Sequence, residues 1–238
     1  MPGKSFTSIF TVLFCAAAAV AQTVMPTPSP SKIDAKANVR PAPPASAEPY
    51  DKADAAAMRA KCVSLDTESG VIELEMFPES APESVRNFLN LTATGAFDTT
   101  TFSRVVPGFV IQGGSVWTRL GGVSQPLGGR ARRTIPDEPN KVLHERGILS
   151  MARTDEPNSA TTSFFILVDA AAYLDGKFAA FGRVTRGMEV VDAINKAPGT
   201  GEKPEKPVRV KKATIIECVG PQATSPRQSA PSIQQSLF

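Results

Sequence analysis

The chain has 238 residues, of which 42% are hydrophobic and 21% are charged, and its formal net charge at pH 7 is only +3. These proportions are those of an ordinary globular protein with room for one large domain or two small ones. They give no reason to expect nucleic acid or an anionic membrane as a partner. Arg130, Arg132 and Arg133 cluster without interleaved aromatic residues, which favours a solvated loop over a phosphate-binding site.

Residues 1–21 have the three parts of a secretory signal peptide. Lys4 supplies the positive charge, residues 9–19 form a short apolar segment, and an Ala-x-Ala cleavage site ends at Ala21. The mature chain is therefore expected to begin at Gln22 and to be periplasmic or secreted. The apolar segment is short and rich in alanine for a membrane span, but an uncleaved signal that anchors the protein in a membrane is the alternative.

Two segments have compositions that do not support a packed core. Residues 22–50 contain seven prolines among alanine, serine and threonine, which is typical of a disordered, semi-extended linker. Residues 220–238 are rich in proline, serine and glutamine and predict a disordered tail. The folded domain is therefore predicted over residues 51–219.

Removal of the signal peptide leaves two cysteines, Cys62 and Cys218. An even number of cysteines in an exported protein favours a disulfide. Two unpaired, buried thiols are the alternative.

The predicted domain is mainly β. Residues 71–77 alternate between apolar and acidic side chains, as in a strand with one buried face. A helix follows, with a capping box from Ser80 to Glu83 and an end at Gly95, and a second helix is predicted over residues 187–197. Further strand-like runs lie near residues 61–66, 101–106, 109–113, 147–151, 163–168, 179–185 and 207–218. Many short strands with one early and one late helix are typical of a closed antiparallel barrel covered by the helices.

Residues 102–114 read FSRVVPGFVIQGG and carry the strongest functional signal of the chain. Arg104 lies inside an apolar strand-like run, where a buried guanidinium is costly unless it has a partner or a function. A Pro-Gly turn then returns Phe109, Val110 and Gln112 to the vicinity of that arginine. The long excursion that follows, residues 115–146, is predicted to be irregular, and ordered loops of this length are usually functional.

Three later segments complete the pattern: residues 147–153 read GILSMAR, residues 163–166 read SFFI, and residues 174–182 read LDGKFAAFG. In this order and spacing the motifs resemble those of the cyclophilin family of peptidyl-prolyl cis-trans isomerases, and the chain looks like an exported, bacterial member. The resemblance implies a mainly β fold, a closed antiparallel eight-stranded β-barrel capped by two α-helices. In that fold the first and last strands are neighbours, so a Cys62–Cys218 bond would join the ends of the domain and stabilise it by about 4–5 kcal/mol.

The resemblance also implies roles for individual residues. Arg104 would donate a hydrogen bond to the prolyl nitrogen as the Xaa-Pro bond twists, because that nitrogen becomes pyramidal and more basic in the transition state. Phe109 and Gln112 would complete the catalytic group, with Gln112 holding the substrate backbone. The residues implied to bind the proline ring and the flanking peptide are Val110, Ala152, Arg153, Phe165, Tyr173, Leu174 and Phe178.

This sequence departs from the family pattern at five of its positions. Ser103 replaces a histidine, Val110 a methionine, Ser163 a glutamine, Tyr173 a tryptophan and Phe178 another histidine. None of these changes removes the catalytic arginine, so activity is expected, with weak binding of cyclosporin-type inhibitors. A cyclophilin-like peptide-binding or chaperone module with little or no isomerase activity is the alternative.

The expected partners are proline-containing segments of unfolded or exported proteins, bound by a monomer that needs no cofactor and no metal. A Ser-His-Asp hydrolase is not predicted, because His144 is the only histidine and no Gly-x-Ser-x-Gly motif is present. His144 is expected to support the site from behind or to pack a loop.

Overall fold

The computed structural model describes residues 47–218. The predicted signal peptide, residues 22–46 of the predicted linker and the predicted tail lie outside these residues. Residues 47–50, placed in the linker by composition, contact the domain. The Tyr50 N–H donates to Asn90 Oδ1 at 2.7 Å, and the Glu48 carboxylate accepts from Arg130 Nε at 2.6 Å. Within the described range, no helix is both long and apolar enough to cross a membrane.

Eight strands form one antiparallel, strongly curled sheet, which confirms the mainly β prediction. The strands of the chain are β1 (Lys61–Thr67), β2 (Gly70–Met76), β3 (Arg104–Val106), β4 (Val110–Gly113), β5 (Ile148–Met151), β6 (Phe164–Leu167), β7 (Ala180–Arg186), β8 (Gly199–Thr200), β9 (Lys203–Pro204) and β10 (Val210–Glu217). Their order in the large sheet is β10-β1-β2-β7-β5-β6-β4-β3, and β8 and β9 form a separate hairpin.

The closure of the predicted barrel is not shown, because β10 and β3 are the two edges of the sheet and no strand ladder joins them in residues 47–218. An isolated bridge between Thr101 and Arg209 and a 2.9 Å hydrogen bond from Phe102 N to Val208 O span the seam. β3 has only three residues, and the N–H of Val105 at its centre donates to the carbonyl of Glu202, just before β9, and not to β10. The sheet is therefore a half-barrel with a briefly bridged seam.

The structure has four α-helices between residues 47 and 218 where the sequence predicted two. They are α1 (Ala55–Arg59), α2 (Pro82–Ala93), α3 (Gln125–Ala131) and α4 (Met188–Asn195). The two predicted helices correspond to α2 and α4. α1 is too short to show a helical period, and α3 contains two glycines, whose low helix propensity made the segment look like a loop.

The start of α2 differs from the predicted capping box. Ala81 is the N-cap, and no side chain of its own turn caps the helix. Glu138, from the long excursion, replaces it: its carboxylate accepts from the N–H groups of Glu83 at 2.9 Å and Ser84 at 2.8 Å, and from the Ser84 hydroxyl at 2.7 Å. A carboxylate is well suited to this place, since the first N–H groups of a helix lack partners within it.

The interior of the curled sheet is filled by α2 and a group of phenylalanines. The ring of Phe88 on α2 lies 5.0 Å from that of Phe97 and 5.2 Å from those of Phe164 and Phe181, measured between centroids. The edge-to-face and tilted arrangements are those that aromatic pairs prefer. This cluster forms the centre of the larger hydrophobic core.

A second, smaller core lies on the outer face of the sheet, and the pleat of the strands creates it. Along β6, Phe164 and Ile166 belong to the inner core, whereas Phe165 and Leu167 belong to the outer one. Since successive side chains of a strand point to opposite faces, the FFIL segment contributes to both cores. The outer core carries the functional pocket.

The predicted disulfide is confirmed: Cys62 on β1 is bonded to Cys218, which directly follows β10, with Cα atoms 5.0 Å apart. The two strands are antiparallel neighbours, with Cys62 opposite Ile216. The bond therefore joins the two ends of the domain across adjacent strands.

Candidate active site

The outer core opens into a pocket of about 210 Å³. The residues lining it are Arg104, Phe109, Val110, Gln112, Ala152, Arg153, Phe165, Tyr173, Leu174 and Phe178. These are the ten residues predicted for catalysis and peptide binding. The structure therefore brings together residues from four stretches of the chain, residues 104–112, 152–153, 165 and 173–178.

Three of these side chains form a row across adjacent strands. Arg104 on β3 is the register partner of Gln112 on β4, and Gln112 is the register partner of Phe165 on β6. Residues directly opposite each other in an antiparallel pair share a face of the sheet. The row therefore places a guanidinium, an amide and an aromatic ring side by side, with Arg104 Nη1 donating to Gln112 Oε1 at 3.3 Å.

Arg104 has a second partner that was not predicted. Its Nε donates to Glu202 Oε2 at 2.6 Å and its Nη2 donates to Glu202 Oε1 at 2.8 Å, while its side chain stays 40% exposed. The hydrogen bonds from Arg104 lower the pKa of Glu202 below its ordinary value, against a smaller opposing effect of burial. Glu202 lies 98 residues further along the chain, and no sequence motif marks it.

The floor of the pocket is apolar. Val110, Phe165 and Leu174 are buried and belong to the outer core. Leu174 ends a short 3-10 turn that begins at Ala172, and it packs in the outer core with Phe165. A floor of this kind binds a hydrocarbon ring and offers no hydrogen-bond partner to a more polar side chain.

Aromatic and cationic side chains form the rim. Phe109 packs against Tyr173 with ring centroids 5.8 Å apart, and the Tyr173 side chain is 61% exposed. Phe178 meets Phe165 edge to face at 6.0 Å, and the Arg153 guanidinium lies 4.8 Å from the centroid of the Phe178 ring. Two of the residues that depart from the family pattern, Tyr173 and Phe178, therefore contribute apolar surface to the same pocket.

Ala152 and the backbone of Arg153 were predicted to lie where an extended peptide binds. The Ala152 N–H donates to the Ser163 carbonyl at 2.9 Å, so this donor is used inside the protein. The side chain of Ala152 lines the pocket, and that of Arg153 reaches its rim.

A chain of hydrogen bonds that the sequence did not predict lies behind the floor. His144 Nδ1 is 3.1 Å from Asp175 Oδ1, and His144 Nε2 is 3.0 Å from Ser150 Oγ. Since a carboxylate only accepts, Nδ1 carries the proton and Nε2 accepts from the serine hydroxyl. His144 is 1% exposed and Ser150 is 0% exposed, so this Ser-His-Asp arrangement cannot meet a substrate and instead supports the pocket from behind. No group of three or more His, Cys, Asp or Glu side chains within residues 47–218 is arranged to hold a metal.

The burial of His144 predicts a pH-dependent stability. Desolvation lowers the pKa of His144 below its usual range, although Asp175 opposes this. In the unfolded chain the imidazole titrates near about 6.5, so below that pH the unfolded state binds a proton that the folded state does not. The free energy of unfolding should therefore fall as the pH decreases from about 6.5 to the lowered pKa, and this contribution should be constant above about 6.5.

The measurement is the imidazole titration by NMR, which needs no assignment because His144 is the only histidine. As the pH is lowered over the same range, the urea midpoint of the wild type should fall. The His144→Gln variant should lose the part of this pH dependence that comes from the imidazole. An imidazole pKa above the usual value in the folded protein would contradict the prediction.

Comparisons with known proteins agree with this geometry. The family model described as cyclophilin type peptidyl-prolyl cis-trans isomerase/CLD matches residues 62–215. The chain is 38% identical over 167 residues to peptidyl-prolyl cis-trans isomerase A of Dickeya dadantii, covering 65% of this chain and 84% of that protein. It is 35% identical over 164 residues to a Brucella suis protein named as a probable peptidyl-prolyl cis-trans isomerase, covering 64% of this chain and 81% of that one.

Solved structures show the same fold. A Cryptosporidium parvum cyclophilin type peptidyl-prolyl cis-trans isomerase, determined in the presence of the dipeptide Ala-Pro, is similar with a TM-score of 0.58 and 30% identity. The match covers 66% of this chain and 99% of that structure. The chain therefore belongs to the cyclophilin-type family of peptidyl-prolyl cis-trans isomerases and is an isomerase.

Proposed function

We propose that this isomerase accelerates rotation about Xaa-Pro bonds in exported proteins, with Arg104 as the hydrogen-bond donor to the prolyl nitrogen in the twisted transition state. Uncatalysed rotation faces a barrier of about 18–20 kcal/mol, because the nitrogen lone pair is delocalised into the carbonyl. As the bond twists, the lone pair localises on nitrogen and can accept a hydrogen bond. The observation that carries the proposal is the guanidinium of Arg104 in one row with Gln112 and the apolar floor at Phe165.

The donor is held in a fixed orientation. Three of the five N–H groups of a guanidinium are engaged here, two by Glu202 and one by Gln112. The others, on Nη1 and Nη2, are proposed to serve the substrate. A preorganised donor favours the transition state because it needs no reorganisation when the charge distribution changes.

The pocket floor supports selectivity for proline. A pyrrolidine ring seated on Val110, Phe165 and Leu174 would exchange contact with water for contact with buried hydrocarbon. With the ring held there and the preceding carbonyl free to turn, rotation is confined to one end of the bond. Gln112 is suited to hold the substrate backbone during that rotation, since it lies between the donor and the floor.

Catalysis is tested with an Ala-Pro-Phe-type peptide by exchange NMR, which follows cis-trans interconversion without a coupling protease. The expected result is an exchange rate that rises in proportion to the protein concentration. Binding of the peptide with no rise in exchange would overturn the proposal and make the protein a peptide-binding module built on the same fold.

The proposed site of action is the periplasm or the cell exterior. The predicted signal peptide supports this, and so does the Cys62–Cys218 bond, because disulfides persist mainly in oxidising compartments. Newly exported chains must isomerise their prolines, a step that takes tens to hundreds of seconds without a catalyst. Cell fractionation with N-terminal sequencing should place a chain that begins at Gln22 outside the cytoplasm. A full-length chain in the cytoplasm with both thiols reduced would overturn this part.

A further inference from the structure

We propose that Glu202 is a positioning residue for the isomerase reaction, which holds the Arg104 guanidinium in the orientation that meets the prolyl nitrogen. The inference rests on the proposed function of Arg104. Glu202 is not among the residues that line the pocket, and it acts through the arginine.

Arg104 and Glu202 form a side-on pair with two hydrogen bonds. Nε and Nη2 of Arg104 donate to the two different carboxylate oxygens of Glu202, at 2.6 and 2.8 Å. Two parallel hydrogen bonds fix the plane of a guanidinium as well as its position. Gln112 alone, at 3.3 Å on Nη1, supplies one long contact and cannot fix that plane.

The backbone of Glu202 is anchored beside the arginine that its side chain holds. Glu202 follows Gly201 in the two-residue turn of the β8–β9 hairpin, where Gly201 has the left-handed φ of 60° that such a turn favours. The Glu202 carbonyl accepts from the N–H of Val105, the residue next to Arg104, at 2.8 Å. The same glutamate therefore binds β3 twice, through its backbone and through its carboxylate.

This double attachment distinguishes Glu202 from an ordinary surface ion pair. A long, 40% exposed arginine has many rotamers in water, and an exposed pair between two mobile side chains contributes little to stability. Here the backbone of Glu202 is held next to Arg104 by a hydrogen bond to Val105, so fewer torsions must be ordered when the pair forms. We expect the Arg104–Glu202 pair to orient the guanidinium and to contribute little to the free energy of unfolding.

Glu202 has a second effect of opposite sign. Its negative charge reduces the positive potential that the guanidinium presents to the substrate. If this electrostatic effect dominated, removal of the carboxylate would raise the rate. If positioning dominates, removal lowers it, and a glutamine lowers it as well because its single carbonyl oxygen cannot accept both hydrogen bonds.

The experiment measures kcat and KM by exchange NMR for the wild type, Glu202→Ala, Glu202→Gln and Glu202→Asp. We expect kcat to fall about tenfold in the alanine and glutamine variants, since small misplacements of a catalytic group have effects of this order or larger. KM should stay within about twofold, and aspartate, which retains both oxygens, should recover part of kcat. Glu205→Gln is the matched control, because it makes the same charge change at an exposed position just after the same hairpin, and its kcat should be unchanged.

A double-mutant cycle with Arg104→Lys shows whether Glu202 acts through the arginine. A lysine cannot form the two parallel hydrogen bonds, so Glu202→Ala should have no further effect on kcat in that background. An undiminished effect there, or wild-type or higher activity of Glu202→Ala alone, would overturn the inference. If the wild type itself lacked activity, the proposed function would fall together with this inference. If the wild type were active and Arg104→Ala inactive while Glu202→Ala kept full activity, this inference alone would fall.

Discussion

Arg104→Ala is expected to lower kcat/KM for an Xaa-Pro peptide by about 10²–10³-fold, the usual effect of removing one preorganised donor to a transition state. The planar ground states do not need the donor, so the loss should lie in kcat, with KM changed by less than about threefold. The fold should persist, because Arg104 is 40% exposed and the glutamate it leaves behind is exposed as well. Exchange NMR provides the rates and peptide titration provides the affinity.

Arg186→Ala is the matched control for this variant. Arg186 pairs with Glu73 at 2.8 Å, is more exposed than Arg104, and lies at the end of β7, outside the pocket. The control removes the same side chain and the same kind of ion pair, and it should leave kcat/KM unchanged. Retention of more than half of the wild-type kcat/KM by Arg104→Ala would contradict the proposed mechanism.

The row of pocket residues could be predicted because its information is local. Arg104 and Gln112 lie in one continuous motif around a tight turn, so their pairing follows from the hairpin they form. Phe165 faces the pocket because strand periodicity assigns successive residues to opposite faces, and the two phenylalanines of FFIL cannot both point inward. The resemblance to the cyclophilin motifs implied the same ten residues that line the pocket, and strand parity explains why Phe165 faces it.

The carboxylate that caps α2 and the carboxylate that orients Arg104 could not be predicted from the sequence. Glu138 binds the first N–H groups of α2 from 55 residues away, and Glu202 binds Arg104 from 98 residues away. Each contact depends on where a turn or loop lies in the tertiary structure, and such segments have no sequence periodicity from which that position could be predicted. The local capping box at Ser80 was a plausible pattern, but a carboxylate supplied from elsewhere offers a stronger acceptor at the same helix end.

The difference between local and tertiary information also explains why the predicted closure of the barrel is not observed. Alternation predicts that a strand exists, but closure depends on which segment lies beside β3, and there the Val105 N–H is bound by the Glu202 carbonyl and not by β10. The chain instead joins the seam between β3 and β10 by a bridge at Thr101, and the disulfide at Cys62 ties the edge strand β10 to its neighbour β1. A sheet that is not closed by a continuous ladder depends more on such single links.

Reduction of the Cys62–Cys218 bond is therefore expected to lower the free energy of unfolding by about 2–5 kcal/mol, since the bond removes chain entropy from the unfolded state over a separation of 156 residues. β10 is an edge strand whose one ladder partner is β1, so the freed C-terminal end should also fray first. Urea unfolding of the wild type with and without reductant measures the difference without changing a side chain. Cys62→Ala combined with Cys218→Ala, a variant in which reductant can have no effect, is the control.

Catalysis should survive this change, because neither cysteine lines the pocket. Equal urea midpoints for the oxidised and reduced protein would show that the strand pairing of β1 and β10 alone holds the domain ends together. Loss of kcat on reduction under folding conditions would instead mean that the outer core and the row at Arg104 depend on the disulfide link between β1 and β10. The expected result is lower stability with unchanged kcat. It would show that the link between β1 and β10 stabilises the domain, whereas the row on β3, β4 and β6 carries the isomerase activity.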